Sequence, residues 1–190
     1  MYNTYYADKF CIKAEKFSID RIRWIPPEND SSKLNFDGSV LPNKDAASSF
    51  ILRNKDGNVT LAFAKKIGRA SVLRAEAFAL RAGLHAALIH GHRNINVEGD
   101  SKILIDCINN KGSIPWKISS IVRDIKILAS SFNQISFIHI WREANFGADA
   151  VANIGHSRDV SAWTENLPEK VSRAVLFDKI GYGCIRGFKL

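Results

Sequence analysis

Two strand-like runs, Ser49-Phe50-Ile51-Leu52-Arg53 and Val59-Thr60-Leu61-Ala62-Phe63-Ala64, flank Asn54-Lys55-Asp56-Gly57-Asn58, and no other stretch restricts the fold so tightly. An Asp-Gly between such runs marks a hairpin, because glycine accepts the positive φ that the turn demands. A third strand precedes it. In Lys33-Leu34-Asn35-Phe36-Asp37-Gly38, Leu34 and Phe36 share one face while Asn35 and Asp37 share the other. Ser71 then reads as the N-cap of a helix from Val72 to about Ile89, closed by Gly91. A strand over Asn94–Gly99 follows, and Ser101 caps a helix to about Asn109. Further on, the pattern predicts a helix over Ile118–Phe132, a strand over Ile135–Trp141 and a last helix from Asn145 to about Ile154. The order βββαβααβα predicts an α/β fold, a mixed sheet under helical cover.

The prolines and polar cluster of Arg23-Trp24-Ile25-Pro26-Pro27-Glu28-Asn29-Asp30-Ser31-Ser32 mark residues 1–32 as an extension and linker. Residues 33–155 form the domain, and 156–190 read as a tail with one helical turn near Pro168–Arg173. No apolar run approaches the roughly 20 residues of a membrane span, so no membrane partner is expected. Cys11, Cys107 and Cys184 lie far apart in an odd set, which fits a reducing compartment. The first residues lack the apolar core of an export signal. A nuclear or cytoplasmic, unsecreted monomer is the expectation. Formal charge is +8, and the surplus sits in residues 34–155, with fifteen basic and ten acidic side chains. A basic globular domain invites a polyanion, most commonly nucleic acid.

Four acids stand where acids are awkward: Asp37 ending the first strand, Glu76 on the apolar stripe of Leu73, Leu80, Gly83, Leu84 and Ala87, Asp100 at a strand end, and Asp149 in an otherwise apolar helix. Each has an ordinary reading alone. Asp37 and Asp100 suit turn or cap positions, Glu76 can pair with Arg74 or Arg81, and Asp149 suits a first helical turn. Gathered together, they would repel one another until a divalent ion compensated. Oxygen ligands without cysteine or histidine favour Mg²⁺, with Mn²⁺ as the alternative.

Asn35-Phe36-Asp37-Gly38-Ser39, Arg74-Ala75-Glu76-Ala77, Val97-Glu98-Gly99-Asp100-Ser101, and Arg142-Glu143-Ala144-Asn145 with Ala148-Asp149-Ala150-Val151-Ala152 resemble, in order, the motifs of ribonuclease H domains. The likeness runs from Trp24 to Gly155 and is strongest to plant ribonuclease H-like domains related to those of non-LTR retrotransposon reverse transcriptases. It implies a five-stranded mixed sheet, three antiparallel strands then parallel ones, flanked by helices. It also implies that Asp37, Glu76, Asp100 and Asp149 meet at one end as catalytic and metal-binding residues. The implied reaction is hydrolysis of the RNA strand of an RNA–DNA hybrid with two Mg²⁺ ions, Asp37 bridging them.

The chain departs from that pattern in three places. Trp141-Arg142-Glu143-Ala144-Asn145 passes from strand to helix without the histidine-bearing loop of many bacterial relatives, and His139 reads as structural. Ser39-Val40-Leu41-Pro42 replaces a glycine-rich segment, and the basic helical insertion of some relatives is absent. These departures keep a second reading open, a weakly active or inactive nucleic-acid-binding module of retroelement descent. Gly38, Ser39, Ser101, Lys111, Trp116, Arg142 and Asn145 are the substrate-binding candidates. Trp116 reads slightly better as a hydrophobic anchor for the following helix than as a sugar contact.

Overall fold

The computed structural model describes residues 21–28, 30–157 and 159–190. Expectations for residues 1–20, including Cys11 and the lack of an export signal, lie outside the described residues. Eleven elements follow in chain order: β1 (Ser32–Val40), β2 (Asp45–Arg53), β3 (Val59–Arg69), α1 (Val72–Ile89), β4 (Asn94–Gly99), α2 (Lys102–Ile108), α3 (Ser119–Ala129), β5 (Gln134–His139), α4 (Phe146–Gly155), β6 (Val160–Trp163) and α5 (Glu169–Ile180). Single 3₁₀ turns at Trp116–Ile118 and Arg142–Ala144 lead into α3 and α4.

The hairpin forms where the sequence placed it. Gly57 has φ +72°, and the Asn54 side-chain oxygen accepts from the backbone N–H groups of Asp56 (3.1 Å) and Asn58 (2.9 Å). The sheet order is β5-β4-β1-β2-β3-β6. Strand β1 runs antiparallel to β2, with Asp37 opposite Ser49, and parallel to β4, with Asn35 opposite Glu98. Strand β4 is parallel to β5.

The central strands are buried on both faces, as parallel neighbours covered by helices must be. On one face Leu34, Phe36, Phe50, Leu52, Ile95 and Val97 pack with Leu80 and Leu84 of α1 and Val122 and Ile125 of α3. Burying each large side chain contributes about 1.5–3 kcal/mol. On the other face Ile51, Ala62 and Ala64 meet Ala148 and Val151 of α4 and Val171 and Val175 of α5.

Two expectations need correction. The sheet has six strands, because Val160–Trp163 adds an antiparallel edge to β3. Residues 156–190 are also more than a tail with one helical turn. Helix α5 has 12 residues, and its buried Val171, Ala174, Val175 and Asp178 face the domain. The segment read as a linker is anchored too. Trp24 is buried and donates from Nε1 to Asn35 Oδ1 at 3.0 Å, while Ile22 pairs with Cys184 in an antiparallel bridge.

Candidate active site

Strands β1 and β4 are parallel with Asn35 opposite Glu98, a register that places Asp37 beside Asp100 where β4 ends. Helix α1 crosses β1 closely enough to bring in Glu76. The closeness depends on Gly38, where a Cβ would sit 2.4 Å from the Glu76 backbone nitrogen and 2.6 Å from the Ala75 carbonyl carbon. One oxygen from each of Asp37, Glu76 and Asp100 lies within 4.8 Å of the other two. Gly38→Ala should force β1 and α1 apart, lowering stability by about 1–3 kcal/mol and weakening divalent-ion affinity at least about tenfold. Thermal melts and a Mg²⁺ titration of the melting temperature would check both effects.

Asp37 is 8% exposed and Glu76 4%. Burial first, then the charges of Asp100 and Asp149, lifts the Asp37 pKa from 3.8 to about 7, against the pull of Arg142 and the Gly38 N–H. Burial and then Asp37 and Asp100 push Glu76 well above the usual carboxylate range. Asp100 is raised chiefly by burial. Glu76 Oε2 is buried without a hydrogen-bond partner among the described residues, a costly state for a carboxylate oxygen. Three converging oxyanions with an unpartnered buried oxygen suit a hard divalent cation.

Asp149 is placed differently. Asn145 donates from Nδ2 to the Phe36 carbonyl (2.9 Å) and Ser49 donates to the Ala148 carbonyl (2.9 Å), fixing the start of α4 beside β1 and β2. The Asp149 carboxylate, however, is engaged by the Arg142 guanidinium and by Asn153 Nδ2 at 3.1 Å. The converging set is therefore Asp37, Glu76 and Asp100, with Asp149 alongside it and Arg142 as the cation whose charge opposes the raised pKa of all three. The Arg142 side chain is 69% exposed.

The other candidates separate into groups. Ser39 meets His156, with Oγ and Nε2 2.9 Å apart. Ser101 stands at the N-cap of α2 without a side-chain cap bond, and Lys111 is exposed. Asn145 is 1% exposed and stitches the fold. Trp116 does not anchor α3. It is 80% exposed, with Lys117 Nζ 5.5 Å from its ring, and Ile118 takes the buried position. His139 packs edge-on against Trp141 and lowers the Asp100 pKa slightly.

Three charged side chains below and beside the site were not singled out from sequence. Glu98 pairs with Lys33 and accepts from Asn35 Nδ2 at 3.2 Å. Arg53 Nη1 meets Asp178 Oδ2 at 2.6 Å. Glu143 accepts from the Gly187 N–H. The alternation of β1 pointed to the first of these, since Lys33 and Asn35 share the Asp37 face.

Comparison with known proteins fits this geometry. Residues 35–155 match a family model described as reverse transcriptase-like. A ribonuclease HI of Halobacterium salinarum is 30% identical over 78% of this chain and 75% of its own length. An Arabidopsis thaliana protein named for ribonuclease H is 29% identical over 84% of this chain, but the chain spans only 26% of that protein. Among solved structures, ribonuclease H1 of Halobacterium salinarum superposes with a TM-score of 0.64 at 29% identity, covering 67% of this chain and 98% of that one. A ribonuclease H1 solved in complex with an RNA/DNA hybrid shares the fold at 20% identity, with a TM-score of 0.62 over 66% of this chain and 96% of its own. The matched span holds all four motifs and the sheet that brings three of their acids together, so the chain belongs to the reverse transcriptase-like family of ribonuclease H-like domains.

Proposed function

We propose that the chain is a metal-dependent endoribonuclease that hydrolyses the RNA strand of RNA–DNA hybrids, leaving 3′-hydroxyl and 5′-phosphate ends. The buried carboxylate cluster of Asp37, Glu76 and Asp100, oxygens within 4.8 Å, carries this reading. The hybrid bound by a structural neighbour supports the substrate class.

Asp37, Glu76 and Asp100 would hold one Mg²⁺ or Mn²⁺, and Asp37 with Asp149 a second. When bound, such ions supply Lewis-acid polarisation of the phosphodiester and a nucleophilic water at neutral pH. The chain's own groups do the rest. Asp37 is central because it faces both Asp100 and Asp149. Asp149 becomes available when Arg142 leaves it for a substrate phosphate, a bidentate partner that guanidinium suits. Exposed Trp116, Lys117 and Lys111 offer a ring face and two cations to the second strand. A retroelement origin accords with the family description and the plant relative.

The Arg142–Asp149 pair favours the second reading, a nucleic-acid-binding module of low activity, because it occupies the fourth acid. A labelled hybrid incubated with Mg²⁺ or Mn²⁺ decides between them. Metal-dependent cutting is expected, reduced at least about a hundredfold in Glu76→Gln, as the loss of several kcal/mol of transition-state stabilisation implies. Salt-sensitive binding with no cutting in either metal would establish the binding module instead.

A further inference from the structure

The Ser39 and His156 side chains meet beside the acidic cluster, and three features of the chain bring them there. Ser39 lies two residues beyond Asp37 on the same face of β1, about 6.6 Å along the strand. Its cross-strand partner is Ala47. Gly155 ends α4 directly above that residue, and a Cβ on Gly155 would lie 2.9 Å from Ala47 Cβ and 3.3 Å from Ala64 Cβ. Only a residue without a side chain lets the helix end settle so low, and the next residue, His156, then reaches Ser39 Oγ at 2.9 Å.

The second ring nitrogen fixes the direction of that bond. His156 Nδ1 is buried with no hydrogen-bond partner among the described residues. A buried donor without an acceptor is rarer and costlier than a buried acceptor without a donor, so Nδ1 carries no proton and Nε2 does. Burial, and then Lys66, lower the His156 pKa against the opposing charge of Asp45, which keeps the ring neutral. Nε2–H therefore donates to Ser39 Oγ. Among the described residues the serine proton is left without an acceptor, on a half-buried side chain two residues beyond Asp37.

We propose that His156 is a positioning residue that turns the Ser39 hydroxyl outward, as a donor to a backbone phosphate oxygen of the strand lying across the acidic cluster. The inference rests on the nuclease reading for its substrate, yet it is a statement about binding and can be measured without cleavage. Hybrid affinity in Ca²⁺, kcat and KM in Mg²⁺, and the ¹⁵N shifts of the imidazole are the three readouts.

Ser39→Ala and His156→Ala are each expected to raise Kd and KM about tenfold, the size of one hydrogen bond to a charged oxygen, with kcat within about twofold. The double variant should lose no more than either single one, because both remove the same bond. His156→Gln, whose amide N–H can take the place of Nε2–H, should restore most of the affinity. The imidazole should show protonated Nε2 and bare Nδ1. Wild-type affinity in either alanine variant, additive losses in the double variant, or a protonated Nδ1 would overturn the proposal. A wild type that binds hybrid without cutting it would refute the nuclease reading while the Kd series still decides the role of His156. A wild type that does not bind hybrid would overturn both.

Discussion

Asp37→Asn is expected to abolish hybrid cleavage and, in EDTA at pH 8, to raise the melting temperature by about 8–16 °C. Loss of activity and gain of stability have one cause. The Asp37 carboxyl has a pKa of about 7 in the folded chain against 3.8 as its ordinary value, and a displacement of that size corresponds to about 4 kcal/mol. Between those two pH values the unfolded chain has released a proton that the folded chain retains. Metal-free stability therefore falls as pH rises from about 4 to about 7, then levels off as far as Asp37 is concerned. Asparagine removes the charge and keeps the shape, so the slope becomes shallower, with a remainder from Glu76 and Asp100, whose pKa values are also raised. For a chain of this size each kcal/mol is worth about 2–4 °C. Mg²⁺ should restore the wild type at pH 8 by binding only the folded state and should do little for the variant. Melting curves from pH 5 to 8, with EDTA or Mg²⁺, test this directly. A variant that melts lower than wild type in EDTA, or a wild type indifferent to Mg²⁺, would refute the claim that these carboxylates form an ion site.

The acids were legible because each one breaks the pattern of its own element. Glu76 interrupts an apolar stripe, and Asp149 sits among alanines and valine. The hairpin was legible because Asp56-Gly57 leaves few other conformations. The pairing of Asp149 with Arg142 was not, because seven residues separate them across a 3₁₀ turn whose geometry no periodicity encodes. Trp116 misled for a simpler reason. Its ring suggested burial, while Ile118 two residues later had the volume and position to fill the core. Strand β6 is four residues long and carries its pattern only through pairing with β3. Helix α5 shows apolar positions at Val171, Ala174 and Val175, but the stripe continues into Asp178, which looks like a solvated end. Arg53, 125 residues earlier, supplies the counter-ion that lets an acid be buried there.

That pair leads to the second large effect. Asp178→Ala should cost about 3–5 kcal/mol, because Arg53 has no exposed surface and would keep its charge without a counter-ion. A loss of that size is a large share of the 5–15 kcal/mol that holds a typical domain together. Arg53 sits at the centre of a network that both ends of the described chain complete. Its Nη2 donates to Asn35 Oδ1 at 2.7 Å, its guanidinium lies 3.8 Å from the Trp24 ring, and Asp178 closes the third side. A chain cut to residues 33–155 lacks Trp24 and Asp178 together, as well as the cover of Val171 and Val175 over Ile51. It should be unfolded or aggregated even though it holds all of the family match. Charge removal and lost packing can be told apart. Arg53→Met combined with Asp178→Leu leaves no unpaired ion and keeps the volume, so the double variant should recover most of the stability lost in Asp178→Ala. Because Asn35 precedes Asp37 by two residues on the same strand face, the double variant should also recover ion binding, read as a Mg²⁺-dependent rise in melting temperature. A 33–155 fragment that melts cooperatively within a few degrees of the full chain would show that the flanking segments merely decorate the domain. A double variant as unstable as Asp178→Ala would show that packing, and not the stranded charge of Arg53, sets the loss.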